Sequence, residues 1–189
     1  MRTFFIVLLL STAVVAHAQE GHNHEQDTTS PYAGMETRVI KSLSSSDIDG
    51  LLSGAGMGYA MAAELNRFPG PKHVLELADE LELTEEQREQ TEALFAAMQE
   101  EAIAFGKQLI DLEAQLDEAF ASGDIDDELI HALTAEIGAT EGMLRATHLK
   151  THLRMTPILS MHQRHMYQQL RGYENGEMDH SQMDHGDHD

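Results

Sequence analysis

His148 and His152 stand four residues apart and Met155 three further on, a spacing that puts all three on one face of a helix. Imidazole nitrogen suits copper, zinc and nickel, and thioether sulfur adds a soft donor that favours Cu(I). His162, His165 and Met166 repeat this donor set further along the chain. A third group is denser: Met178-Asp179-His180 recurs as Met183-Asp184-His185 and is followed by Asp187-His188-Asp189. Its five-residue period matches neither the helix nor the strand repeat, so these donors read as a flexible chelating tail. For the first two groups an ordinary reading stays open beside the metal one, because histidines also pack against or cap helix ends. His73 and His131 read as ordinary helix histidines.

Other chemistries lack their residues. The chain has no Cys and no Trp, which excludes disulfides, thiol catalysis and Cys-ligated zinc or iron–sulfur sites. Asp and Glu total 33 against 12 Lys and Arg, a formal charge of -21. No dense basic patch is available to neutralise phosphates, so nucleic acid is excluded as a partner, whereas cations and basic or unfolded polypeptides remain. Glu128-Leu129-Ile130-His131 has the Glu-x-x-His spacing of a di-iron bundle, but the second such spacing, Glu177 to His180, falls in the tail. Serine-hydrolase elbows, His-Glu-x-x-His and phosphate loops are absent from the sequence, and a non-enzyme is expected.

The elements that must hold these donors follow from periodicity and punctuation. Arg2, the apolar run Phe4 to Leu10 and the small-residue site Ala16-His17-Ala18 predict a signal peptide over 1–18, too short to span a bilayer, and hence export to a bacterial periplasm. Residues 19–45 are polar, carry His22 and His24, and are expected to be a flexible segment. A helical domain is expected over 46–173. Its first segment, from Ile48 to Phe68, has helical spacing interrupted by Gly54, Gly56 and Gly58 and is ended by Pro69-Gly70-Pro71. Thr84 and Gln87 form a capping box that opens a long helix. Phe95, Met98, Ala102, Phe105, Leu109, Leu112, Leu116 and Ala119 make its apolar seam. Ser122-Gly123-Asp124 breaks it, Asp124 or Asp126 caps the return helix, and Leu129, Leu133, Ile137, Leu144 and Met155 line that helix. The pattern predicts an all-α fold: a long antiparallel helical hairpin with shorter flanking helices. Ser160 with Gln163 can start a last helix through Leu170, with Thr156-Pro157 as a competing start, and residues 174–189 are expected to be a disordered tail. The apolar stripe is narrow, which predicts a homodimer.

The motif Leu83-Thr84-Glu85-Glu86-Gln87-Arg88 and its variant Leu159-Ser160-Met161-His162-Gln163-Arg164, with an export signal and a hairpin between them, resemble the periplasmic Leu-Thr-x-x-Gln family. That family includes the Spy and CpxP chaperones, the zinc-resistance-associated ZraP proteins and CnrX-like heavy-metal sensors. The stretch from Gly56-Met57-Gly58-Tyr59 through Pro69-Gly70-Pro71-Lys72-His73 is similar to the sensor members. The resemblance covers about 46–173 and implies a small all-helical homodimer. It also implies either a late transition metal (copper, zinc or nickel) as ligand in sensing, buffering or resistance, or ATP-independent sheltering of unfolded exported proteins. A membrane signalling protein is the further partner it implies. The paired histidines that metal sensors carry on their first helix have no counterpart between Ser46 and Phe68.

Overall fold

The computed structural model describes residues 30–173. Residues 1–18, expected to be a signal peptide, His22, His24 and the segment 174–189 with Met178, His180, Met183, His185 and His188 lie outside the described residues. The chain divides into two units, 1–33 and 34–189. In the first, the described residues form a turn closed by the Ala33 amide on the Ser30 carbonyl at 3.0 Å.

Helix is the only regular structure among the described residues of the second unit. After a 3-10 turn at Met35–Thr37 come α1 (Ser45–Ser53), α2 (Met61–Glu64), α3 (Pro71–Glu76), α4 (Glu85–Ser122), α5 (Asp127–Met155) and α6 (Met161–Leu170). The two long helices, α4 and α5, pack against each other, and the shorter ones flank them. Only residues 123–126 join the long pair, so they run antiparallel. None of the described helices is long and apolar enough to cross a membrane.

Local chemistry explains the boundaries. Thr84 accepts from the Gln87 amide and Gln87 reaches back to the Thr84 amide, starting α4 where its first four N–H groups would otherwise lack partners. Asp126, not Asp124, caps α5 through the Leu129 amide. Ser160 and Gln163 form the same box for α6, so Ser160 prevails over Thr156-Pro157 as the start. Gly54 and Gly123 end α1 and α4 in the left-handed conformation that glycine adopts without a Cβ clash.

The two capping boxes are also joined to each other. The Gln87 amide nitrogen donates to the Gln163 oxygen, and the Gln163 nitrogen donates back to the Gln87 oxygen, both at 2.9 Å. Each nitrogen donates its other proton to a main-chain carbonyl, Ile158 for Gln87 and Leu81 for Gln163. Each oxygen also accepts from its own cap amide, so both side chains use their full hydrogen-bonding capacity. This reciprocal amide ring fastens the start of α6 to the start of α4.

Two apolar clusters fill the interior. Leu51, Met98, Ala102, Leu109 and Leu144 form one, where α1 crosses the hairpin. The backbone approach there is so close that a Cβ on Gly106 of α4 would collide with the Leu51 carbonyl. Val74, Leu81, Met155, Leu159 and Tyr167 form the other, where α3, α5 and α6 meet. The packed face of α5 is not purely apolar: Thr140, Thr147, His148 and Thr151 are buried on it, and the Thr147 and Thr151 hydroxyls bond to the carbonyls one turn back.

The segment 34–44, read as flexible in sequence, is fixed on α4. Lys41 pairs with Asp117 at 3.2 Å, Ser42 donates to Glu113 at 2.7 Å, and Ile40 is buried. Its anchors lie about 70 residues away in the chain, which local composition does not register.

Candidate functional site

The glycine-rich stretch that follows α1 does not continue as a helix. Gly54 turns the chain, Gly58 takes a positive φ of 80°, and Met57 between them is held at φ 40°, a conformation rare for a residue with a Cβ. The short helix α2 then delivers Glu64 to the hairpin, and Pro69-Gly70-Pro71 starts α3, with proline at its first turn. These segments and the α4 and α5 faces opposite them enclose a cavity of about 630 Å³, lined among others by Met57, Met61, Glu64, Gly70, Met98, His148 and His152.

His148 is buried and stacks on Tyr59, with ring centroids 5.7 Å apart and an interplanar angle of 14°. Its Nε2 is buried without a hydrogen-bond partner. Burial, and secondarily the neighbouring His152, hold its pKa below the ordinary value, so the ring is neutral at pH 7 and retains a lone pair. The second cause also shows that the two imidazoles lie within electrostatic range of each other.

His152 is oriented from outside its own helix. Its Nδ1 lies 2.8 Å from the Phe68 carbonyl oxygen. A carbonyl only accepts, so Nδ1 carries the proton in the neutral ring and Nε2 keeps the lone pair. This is the arrangement by which a second partner fixes the tautomer of a metal-ligating histidine. Nε2 lies over Gly70, where an added Cβ would come within 2.9 Å of it.

Glu64 is shared between two environments. Its Oε1 accepts from the Tyr167 hydroxyl at 2.6 Å and the Tyr173 hydroxyl at 3.1 Å, and lies 3.4 Å from Arg171 Nε. Burial, and then the bond to Glu64, push the Tyr167 phenol well above the usual tyrosine range, so it stays a donor. The other oxygen, Oε2, is buried with no hydrogen-bond partner. It lies 3.6 Å from His152 Nδ1, too far for a hydrogen bond, and that nitrogen's proton is directed to Phe68. Two buried polar atoms without partners, one imidazole nitrogen and one carboxylate oxygen, therefore belong to residues lining the same cavity, and desolvated atoms of this kind are costly unless a ligand satisfies them.

The sequence candidates separate accordingly. His148 and His152 line the cavity together. Met155 does not: it is fully buried in the cluster with Val74, Leu81, Leu159 and Tyr167. His162 and His165 are exposed on α6, His165 beside Gln169 at 3.2 Å, and Met166 packs on the second apolar cluster. None of these three is among the residues lining the cavity. His73 does border it, with Nδ1 on Glu76 at 2.8 Å. Glu64, Met57 and Met61 were not singled out in the sequence. The signal was there for Glu64, the only acidic residue between Asp49 and Glu76. Among the described residues no group of three or more His, Asp or Glu is arranged to hold a metal ion; the cavity wall carries the imidazoles of His148 and His152, that of His73 engaged by Glu76, the Glu64 carboxylate at its edge and thioethers. Comparison with known proteins returns no matching family model, no matching curated protein and no matching solved structure.

Proposed function

We propose that this chain is a periplasmic binding protein for a late transition metal, copper before zinc or nickel, acting in metal sensing, buffering or resistance. The observation that carries the reading is the pair of His148 and His152 on one cavity wall. His148 Nε2 is buried and unpartnered, and His152 is held in the tautomer that leaves Nε2 as donor by the Phe68 carbonyl. Glu64 Oε2 supplies an unpartnered negative oxygen nearby. The segment with Met178, His180, Met183, His185 and His188 would act as a second collector. The mechanism is linkage: an ion that binds only the folded form stabilises it, once its concentration exceeds Kd, by a gain that grows with the logarithm of that concentration. A homodimer, a membrane signalling partner and the signal peptide belong to the same proposal, and no enzymatic step is part of it.

Calorimetric titration with Cu(I), Cu(II), Zn(II) and Ni(II), on the mature chain and on the His148→Ala/His152→Ala variant, with mass measured by light scattering, tests it. The proposal expects a tight step that the variant lacks and a dimeric mass. Equal titrations of both proteins would remove the cavity from the account.

A second reading, an ATP-independent chaperone or stress adaptor, is favoured by the exposed side chains of Met57, Met61 and Leu65. They line a surface groove of about 790 Å³ with Gly138 and Gly142 of α5. Suppression of client aggregation by the metal-free protein, lost in Met61→Glu/Leu65→Glu, would support it.

A further inference from the structure

The methionines of the glycine-rich turn are placed at odds with ordinary packing. Met57 is 42% exposed and Met61 60% exposed, although both are large apolar residues. Met57 is held at φ 40° between Gly56 and Gly58, a position where a third glycine would relieve the strain. Its side chain lies over Gly50 of α1, where an added Cβ would come within 2.8 Å of Met57 Sδ. Met57 and Met61 border both the histidine-lined cavity and the surface groove, and Met98 adds a third thioether to the cavity wall. A strained, half-exposed methionine contributes little as a core residue. On the wall of the cavity that His148 and His152 also line, it can contribute a soft donor.

We infer that Met57 and Met61, with His148 and His152, form a site selective for a soft monovalent cation, Cu(I) or Ag(I), and that the two thioethers are its outer ligands. The inference rests on the metal reading above and narrows it to an ion class. Soft monovalent ions accept low coordination by thioether sulfur and imidazole, whereas zinc takes thiolate, imidazole or carboxylate and nickel imidazole, so a neutral thioether contributes little to their binding. The wall supplies more sulfur than carboxylate, and the thioethers stand on the side open to solvent, where an arriving ion meets them first.

The test uses the full mature chain with methionine methyl groups and histidine rings isotopically labelled, titrated with Ag(I), a redox-inert probe, and separately with Zn(II). Met57→Leu and Met61→Leu assign the methyl signals and also serve as variants, since a Met-to-Leu exchange conserves volume. The expected result is that the Met57 and Met61 methyl resonances shift in step with the His148 and His152 rings under Ag(I) and stay still under Zn(II). In the double variant the Ag(I) affinity read at His148 should fall by at least about tenfold. If the rings respond while the methyl groups do not, or the double variant keeps its Ag(I) affinity within about twofold, the soft-ion inference is overturned and the metal reading stands. If neither rings nor methyl groups respond to any ion, the metal reading of the cavity falls with it.

Discussion

Gly70→Ala probes the site without removing a single donor. Gly70 has φ -91° and ψ 140°, which alanine adopts freely, so the backbone is not strained. The added Cβ would lie 2.7 Å from His152 Cε1 and 2.9 Å from Nε2, whereas ordinary contact begins at 3.4 Å. The ring must therefore retreat by about 0.7 Å, the difference between 3.4 and 2.7 Å. Movement of that size stretches the 2.8 Å bond to the Phe68 carbonyl toward the hydrogen-bond limit. Crowding costs about 1–3 kcal/mol and the weakened bond about 1 kcal/mol, while alanine's smaller unfolded-state entropy returns about 0.4–1 kcal/mol. The net loss of stability is about 1–3.5 kcal/mol, which urea unfolding of the metal-free protein measures. Loss of the tautomer-fixing partner should weaken metal binding about 10–100-fold, read at the His148 and His152 rings so that tail binding does not mask it. Gly138→Ala, with open space around the added carbon, is the control and should leave affinity unchanged. A folded Gly70→Ala protein with wild-type affinity would refute the claim that Phe68 and Gly70 position His152 as a ligand.

Three further outcomes follow from the same contacts. Gln163→Ala removes the side-chain half of the α6 capping box and leaves the Ser160 amide, the Leu81 carbonyl and the Gln87 side-chain amide without that partner. A loss of about 2–4 kcal/mol in urea unfolding is expected, against less than about 0.5 kcal/mol for the surface change Gln90→Ala. His148 has a folded pKa below its ordinary 6.5, so below that pH the unfolded chain binds the proton more readily and stability falls as pH falls. The unfolding free energy of the metal-free protein minus that of His148→Phe, followed from pH 7.5 to about 5, should therefore decrease with falling pH, by no more than about 1.4 kcal/mol per unit; a pH-independent difference would contradict it. Tyr167→Phe withdraws the shortest donor from Glu64 Oε1, with an expected cost of about 1.5–3 kcal/mol by thermal or urea unfolding.

Much of the scaffold was legible because it is written locally. Thr84 with Gln87, Asp126 before Leu129, and Ser160 with Gln163 are caps whose partners lie three residues away. The α4 seam from Met98 to Leu112 is buried at the spacing its periodicity foretold. The α5 seam was harder to read between Leu144 and Met155, because threonines that bond to carbonyls within the helix, and His148 stacked on Tyr59, occupy the packed face. The candidate site was half legible. The spacing of His148 and His152 announced a shared face, but Met155, on the same face, lies where α3 and α6 close over it, and it became core. What replaced it depends on contacts across the chain: Phe68 with His152 over 84 residues, Glu64 with Tyr167 over 103. No local pattern encodes such pairings, and the exposed methionines gain meaning only once the turn has placed them beside the histidines.

The central claim, that the cavity between the glycine-rich turn and α5 holds a metal ion on His148 and His152, is tested most directly by a crystal structure of the copper-loaded mature protein with anomalous data at the copper edge. The account predicts an anomalous peak inside the cavity, about 2 Å from imidazole nitrogens of both histidines. A cavity without a peak in fully loaded crystals, with copper found only on other residues, would contradict it.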